Sequence, residues 1–169
     1  MFYGNVEGMK EYLLARGKDL PPELTDEEIN SALLVASEWL DGQYESSWIG
    51  YKTNGFKQER SWPRSNAIVQ YYPYYLFGND EIPEQVVKAT YEAAYRHITK
   101  PNCLQTDYIP SQYKSVSVSG AVSVEYSNLV TSAGDSQLEI PAIQVLMEML
   151  LDSDKTGNLS SLSGKAVRV

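Results

Sequence analysis

Residues 25–42, TDEEINSALLVASEWLDG, decide the fold class. Thr25 followed three residues later by Glu28 makes a capping box: the hydroxyl accepts from the Glu28 amide, and the Glu28 carboxylate reaches back to the Thr25 amide. Ile29, Leu33, Ala36 and Leu40 then recur on one helical face. Leu34 and Trp39 widen that stripe, so the helix is expected to pack on two neighbours. Asp26, Glu27 and Glu28 set negative charge at the positive end of the helix dipole. Gly42 is placed to stop the helix.

Outward from this helix the chain alternates between clear and unclear periodicity. Toward the N-terminus, Asn5 caps a helix running to about Arg16, with Val6, Met9, Tyr12 and Leu13 on one face and Gly17 as its stop. KDLPPE then reads as a loop. Toward the C-terminus, residues 43–82 hold neither helical nor strand period for long. A segment of that length is too long for a plain connector, so it is an ordered functional loop or one arranged by other chains. Helical patterning returns with Pro83 at a first helical position, followed by Val86, Val87, Thr90, Tyr91, Ala94 and Ile98, and Pro101 closes it.

From residue 113 the period becomes two. Val116 and Val118 alternate with Ser115 and Ser117, and Val122, Val124 and Tyr126 alternate with Ser123 and Glu125. Ser119-Gly120 between them predicts a hairpin over 113–127 with a two-residue turn. Its edges need cover, either from the helices or from another subunit. A short helix is expected from Pro141 to Leu151. The fold class is therefore mainly α: a small bundle of about four helices with one β-hairpin and long ordered loops, plus a flexible C-terminal tail. Residues 1–151 form one domain, and 152–169 form a tail ordered only by a partner.

Composition narrows the function. The chain has 169 residues, with 22 acids against 14 bases and a net charge of −8. Its overall field repels nucleic acid, which excludes binding by blanket phosphate neutralisation. One Cys (Cys103) and one His (His97) cannot make an intrachain disulfide or a four-ligand zinc site. No stretch approaches the roughly 18 apolar residues of a membrane span. The first residues show no basic region leading into an apolar run, so no secretory signal is expected.

No chemistry is legible either. His97 sits at a helix end, where the dipole accounts for it. Cys103 has no neighbour to depress its thiol pKa. The acids of 26–28 and of 81 and 84 stand at helix starts, GNDE (78–81) lacks calcium-loop spacing, and no Gly loop cradles phosphate. The expectation is a non-enzyme with no catalytic residue, no cofactor and no metal.

Charge is unevenly spread: −7 over residues 1–50, +2 over 51–120 and −3 over 121–169. The basic excess is Lys52, Lys57, Arg60 and Arg64, interleaved with Trp48, Tyr51, Phe56 and Trp62. Bases among rings can track a single strand of nucleic acid, with Lys52, Lys57 and Arg60 facing it. Arg and Trp together also mark protein interfaces. Four positive charges on a chain of −8 favour the interface. Tyrosine is also over-used, 13 against three Phe, with Tyr71, Tyr72, Tyr74 and Tyr75 in one run. Such rings suit half-buried subunit contacts, or simply stand where other chains use Phe. Trp48, Tyr51, Trp62, Pro63, Arg64 and the four tyrosines are thus the expected interface and loop-fixing residues, with Trp62 and Pro63 fixing the loop and Arg64 pairing with a carboxylate.

The order of features resembles a family of tailed-phage and prophage proteins that often carries the label DnaT-like single-stranded-DNA-binding protein. The resemblance runs over about residues 1–127, through MFYGNVEGMKEYLLARG, SALLVASEWLDGQYESSWIGYKTNGFKQERSWPRS, EIPEQVVKATYEAAYRH and VSGAVSVEY. Its most specific parts are SEWLDG (37–42), GYKT (50–53) and Trp62-Pro63-Arg64. Residues 66–80 are more aromatic than the family pattern. The resemblance implies a virion structural protein, a head-to-tail adaptor or head-completion protein that forms a ring, commonly of twelve copies, between portal and neck or tail. It implies as partners other copies of the chain, the portal protein, neck, stopper or tail proteins, and double-stranded DNA in the channel, with no membrane. The location implied is the virion neck, and the host cytoplasm during assembly. Leu159, Leu162, Lys165, Val167, Arg168 and Val169 in the tail are the expected portal-docking residues. The alternative is a single-stranded-DNA-binding replication accessory protein.

Overall fold

The computed structural model describes residues 1–69, 73–101, 103–104, 116–118, 122–124 and 140–152, the last two strand segments (116–118 and 122–124) by their backbone alone. In chain order the elements are α1 (Val6–Leu14), α2 (Asp26–Tyr44), β1 (Tyr51–Lys52), a 3-10 turn (Gly55–Lys57), β2 (Arg64–Ser65), β3 (Ile68–Val69), β4 (Tyr75–Leu76), α3 (Glu84–Thr99), β5 (Val116–Val118), β6 (Val122–Val124), α4 (Pro141–Met147) and a second 3-10 turn (Glu148–Leu150). The fold is mainly α, with short antiparallel strand pairs.

The helices form where capping and apolar spacing agree. The Asn5 side chain accepts from the Gly8 amide at 2.7 Å and starts α1. Gly17, at φ +63°, and Lys18 close it by donating to the carbonyls of Leu14 and Leu13. Thr25 and Glu28 complete the capping box of α2. Gly42 does not end α2, which continues to Tyr44. Unlike Gly17, Gly42 does not take the positive φ of a helix stop. Pro83 occupies the N-cap of α3 rather than its first turn. The last predicted helix splits: α4 ends at Met147, and its final turn tightens to 3-10 geometry.

α3 is the centre of the bundle and packs against α1, α2 and α4. Ala89, Ala93 and Ala94 are fully buried on it, and their small side chains let the neighbouring helices approach. The core continues through Met9 and Leu13 of α1, Ile29, Leu33, Ala36 and Leu40 of α2, and Ile143, Met147 and Leu150. Leu34 and Trp39 are half-buried at its margin. Burying one such Leu or Ile stabilises by roughly 1.5–3 kcal/mol. Gly4 is required by contact: at φ +80° its missing Cβ would lie 2.5 Å from the Tyr91 ring. The Tyr91 hydroxyl accepts from the Asn5 amide and so ties the chain start to α3.

The described residues of 43–82 form short ribbons that were not evident from periodicity. β1 pairs with β2 and β3 with β4, each through two residue pairs. Runs of two residues are too short to show alternation. The hairpin pairs Val116 with Val124, Ser117 with Ser123 and Val118 with Val122. That register leaves three residues between the strands, one more than a two-residue turn. Residues 153–169 lie outside the described residues, as do Tyr71 and Tyr72.

Candidate functional site

The basic and aromatic residues of the loop converge beside the C-terminal half of α2. Three carboxylates, Glu38, Asp41 and Glu45, share one face of that helix. Arg60 turns inward and meets two of them, with Nη2 3.2 Å from Glu38 and Nη1 3.4 Å from Asp41. Nη2 also lies 3.0 Å from Glu59, and Nε donates to the Met1 carbonyl at 2.7 Å. Burial alone would lower the Arg60 pKa, but the facing carboxylates outweigh it and raise it. Lys52 pairs with Glu45 at 3.2 Å. Ser61 Oγ donates to the same carboxylate. Burial pushes Glu45 upward, yet the Ser61 and Lys52 hydrogen bonds prevail and hold it below the usual carboxylate range.

Arg64 is buried and serves the backbone. Its Nε donates to the Ile49 carbonyl at 2.8 Å, Nη2 to Gly50 at 2.9 Å and Nη1 to Ser61 at 3.3 Å. Burial depresses its pKa, with Glu45 the leading opposing charge. Gln58 repeats the device, donating to the carbonyls of Arg60 and Pro63. In irregular chain such carbonyls lack ladder partners, and side-chain donors supply them. Gly50 belongs to this construction: at φ +65° a Cβ would sit 2.5 Å from the Ser65 carbonyl oxygen. The GYKT turn therefore needs Gly for close approach as well as for its backbone angle.

The rings form a stack that leads outward. Tyr44 meets Trp48 at 5.6 Å, Trp48 meets Trp62 edge-on at 5.8 Å, Trp62 meets Phe77 at 5.6 Å and Phe77 meets Tyr75 at 4.9 Å. Trp48 and Trp62 are fully buried. Trp48 bridges to Leu151, and the Ile49 amide donates to Leu150, so the C-terminal 3-10 turn is sewn to the loop. Tyr3 completes the assembly: its hydroxyl donates to Asp41 at 2.6 Å and accepts from the Trp62 amide at 3.0 Å. Burial, then the Asp41 charge, pushes the Tyr3 hydroxyl pKa well up. Burial likewise raises Asp41, against the hydrogen bonds from Tyr3 and Ser61 and the charge of Arg60. The Trp62–Pro63 peptide is cis.

These placements correct several expectations. Arg64 pairs with carbonyls, not with a carboxylate, and the carboxylate partner is Arg60. Arg60 does not face outward toward DNA, because it is spent on α2, and Lys52 is half-buried in its ion pair; Lys57 is exposed. Trp48 and Trp62 stand in the core rather than on a surface. Pro63 is half-buried, while Tyr51, Tyr74 and Tyr75 are exposed. An open cleft of about 530 Å³ lies over Asp41, Gly42, Glu45, Lys52, Gly55 and Phe56. Among the described residues, no group of three or more His, Cys, Asp or Glu is placed to hold a metal. No helix among them is long and apolar enough to cross a membrane.

Sequence reasoning missed Tyr3 and Glu92, and it did not foresee that the Tyr3 amide donates to Ser37 Oγ at 3.0 Å or that the Tyr91 hydroxyl takes the Asn5 amide. Glu92 is buried on α3, where Lys18 and Arg96 pair with it at 2.7 and 2.9 Å and Tyr12 donates to it. Burial would raise its pKa, but those three partners hold it below the ordinary value. Burial and the Glu92 charge push the Tyr12 hydroxyl up to about 12. The spacing of Glu38, Asp41 and Glu45 was the available signal for Arg60, since three acids on one face call for a base.

Fold and site together define a small, mainly helical protein whose basic-aromatic loop is an internal scaffold. The chain belongs to the family described as "Putative DnaT-like ssDNA binding protein", whose model matches residues 3–169. No curated protein and no solved structure matches it.

Proposed function

We propose that the chain is a virion structural protein without catalysis: a head-to-tail adaptor that forms a ring, of twelve copies by resemblance, beneath the portal. In this reading it joins the DNA-filled head to the neck or tail and lines the DNA channel. The observation that carries it is the burial of Trp48, Trp62, Arg60 and Arg64. With those residues spent inside, the loop offers solvent mainly rings and few free positive charges, a surface suited to protein contact. An acidic ring also fits a channel through which DNA slides without sticking. Residues 152–169 dock on the portal in this reading.

Mixing the full chain with the portal protein of the same genome tests it, read by sedimentation and negative-stain imaging. A ring-shaped layer on the portal is the expected result, and a chain lacking 152–169 then fails to bind. A portal that stays bare contradicts the reading.

The family description favours a second reading, a single-stranded-DNA-binding accessory protein. It requires oligonucleotide binding that weakens steeply with salt. The inward turn of Arg60 and Arg64 counts against it.

A further inference from the structure

Pro73, Tyr74, Tyr75 and Leu76 are four consecutive exposed residues on and before β4, with Tyr74 72% and Leu76 61% exposed. Ile68, the register partner of Leu76, is exposed beside it. Tyr51 and Phe56 are exposed on the preceding ribbon and its 3-10 turn. Of these side chains, Tyr75 is held in place by its partners. Tyr75 packs edge-on against Phe77, which packs on buried Trp62, and the Tyr75 hydroxyl donates to Glu81 at 3.0 Å. The Phe77 amide donates to the Ala67 carbonyl, locking β4 to the strand before it. A built scaffold thus presents apolar area to water.

We propose that this β3–β4 ribbon is a contact surface for a second copy of the same chain. The choice of occupant rests on the ring reading above and, independently, on charge. Residues 65–79 are 15 consecutive positions without a charged side chain, in a chain of net charge −8. Two copies repel through their acidic faces and approach at least cost over an uncharged ribbon. A cationic partner gains more over exposed acids such as Glu7, Glu11 and Glu27. A nucleic-acid strand needs bases beside the rings; here Arg60 and Arg64 face inward, Lys52 is paired, Lys57 alone of the four is exposed, and Glu81 bonds to Tyr75 within the patch. Tyr, with two side-chain torsions and one polar tip, is well suited to such a contact.

Sedimentation of the full chain across the micromolar range, for wild type, Tyr74→Glu and Leu76→Glu, tests this surface. Wild type is expected to self-associate with rising concentration. Each variant is expected to weaken that association by about tenfold or more, because it puts an uncompensated carboxylate into an apolar contact with another acidic copy. Both positions are exposed, so the melting temperature stays within about 2 °C of wild type, which separates lost contact from lost fold. Wild type that stays monomeric throughout overturns the proposal, and so does association that both variants leave intact. A labelled single-stranded oligonucleotide bound by wild type and released by Tyr74→Glu, with self-association unchanged, overturns it in favour of nucleic acid. The ring reading fails separately, on a bare portal in the mixing experiment.

Discussion

The helical frame and the loop of residues 45–82 both bury large side chains, and they do so by different means. In the frame, backbone hydrogen bonds close within each helix, so apolar stripes are free to meet on α3. In the loop, the carbonyls of Ile49, Gly50, Ser61 and Pro63 take donors from the side chains of Arg64 and Gln58. Arg60 then fastens the loop to Glu38 and Asp41 of α2 and to the chain start. An irregular segment rich in bases and rings can therefore be a scaffold whose polar groups face inward. Interleaved Arg and Trp alone do not mark a nucleic-acid surface.

The strongest break in the loop is Trp62→Ala, which removes the ring joining Trp48 to Phe77. A loss of about 3–5 kcal/mol is expected in urea unfolding, with the far-UV helical signal retained below the transition. A smaller, purely polar break is Arg64→Met, which keeps the stem and strips donors from three carbonyls. Its expected loss is about 2–3 kcal/mol, and Arg64→Lys should recover less than half, since one ammonium cannot reproduce the fork.

The frame is probed by Glu92→Gln. About 1–2 kcal/mol is expected to go, because Lys18 and Arg96 lose their buried counter-charge but both reach water. The sign of the pH effect follows from the lowered Glu92 pKa. Folding favours the ionised form, so its contribution is present above the ordinary carboxylate pKa of about 4.3 and fades as pH falls through the lower folded value. Thermal melts between about pH 6 and 3 should fall less steeply for Glu92→Gln than for wild type. The smallest effect is Thr25→Ala: loss of the capping hydroxyl costs about 1 kcal/mol and leaves the loop untouched.

Legibility followed the same division. The helices were readable because each carries its own signal: Thr25 and Glu28, Asn5 and Gly17, and apolar residues at helical spacing. The loop was readable only as something ordered. Strands such as Arg64–Ser65 are too short for a period, and the partners of Arg60 lie on another element about 20 residues earlier in the chain. Gly42 misled because glycine permits a helix end without compelling one. Arg64 misled because a buried guanidinium is as well satisfied by carbonyl oxygens as by a carboxylate, and sequence spacing does not distinguish them. Glu92 was not legible because its partners Lys18 and Tyr12 are distant in sequence.

The central claim is that the loop's tryptophans and arginines work inside the protein. Titration of the full chain with single-stranded oligonucleotide at low salt, followed by intrinsic tryptophan fluorescence and by anisotropy of a labelled strand, tests it most directly. The predicted result is no saturable binding and no quenching beyond what half-buried Trp39 allows, because Trp48 and Trp62 are sealed from solvent. Saturable, salt-sensitive binding that quenches the tryptophans and is lost in Arg60→Ala would contradict it.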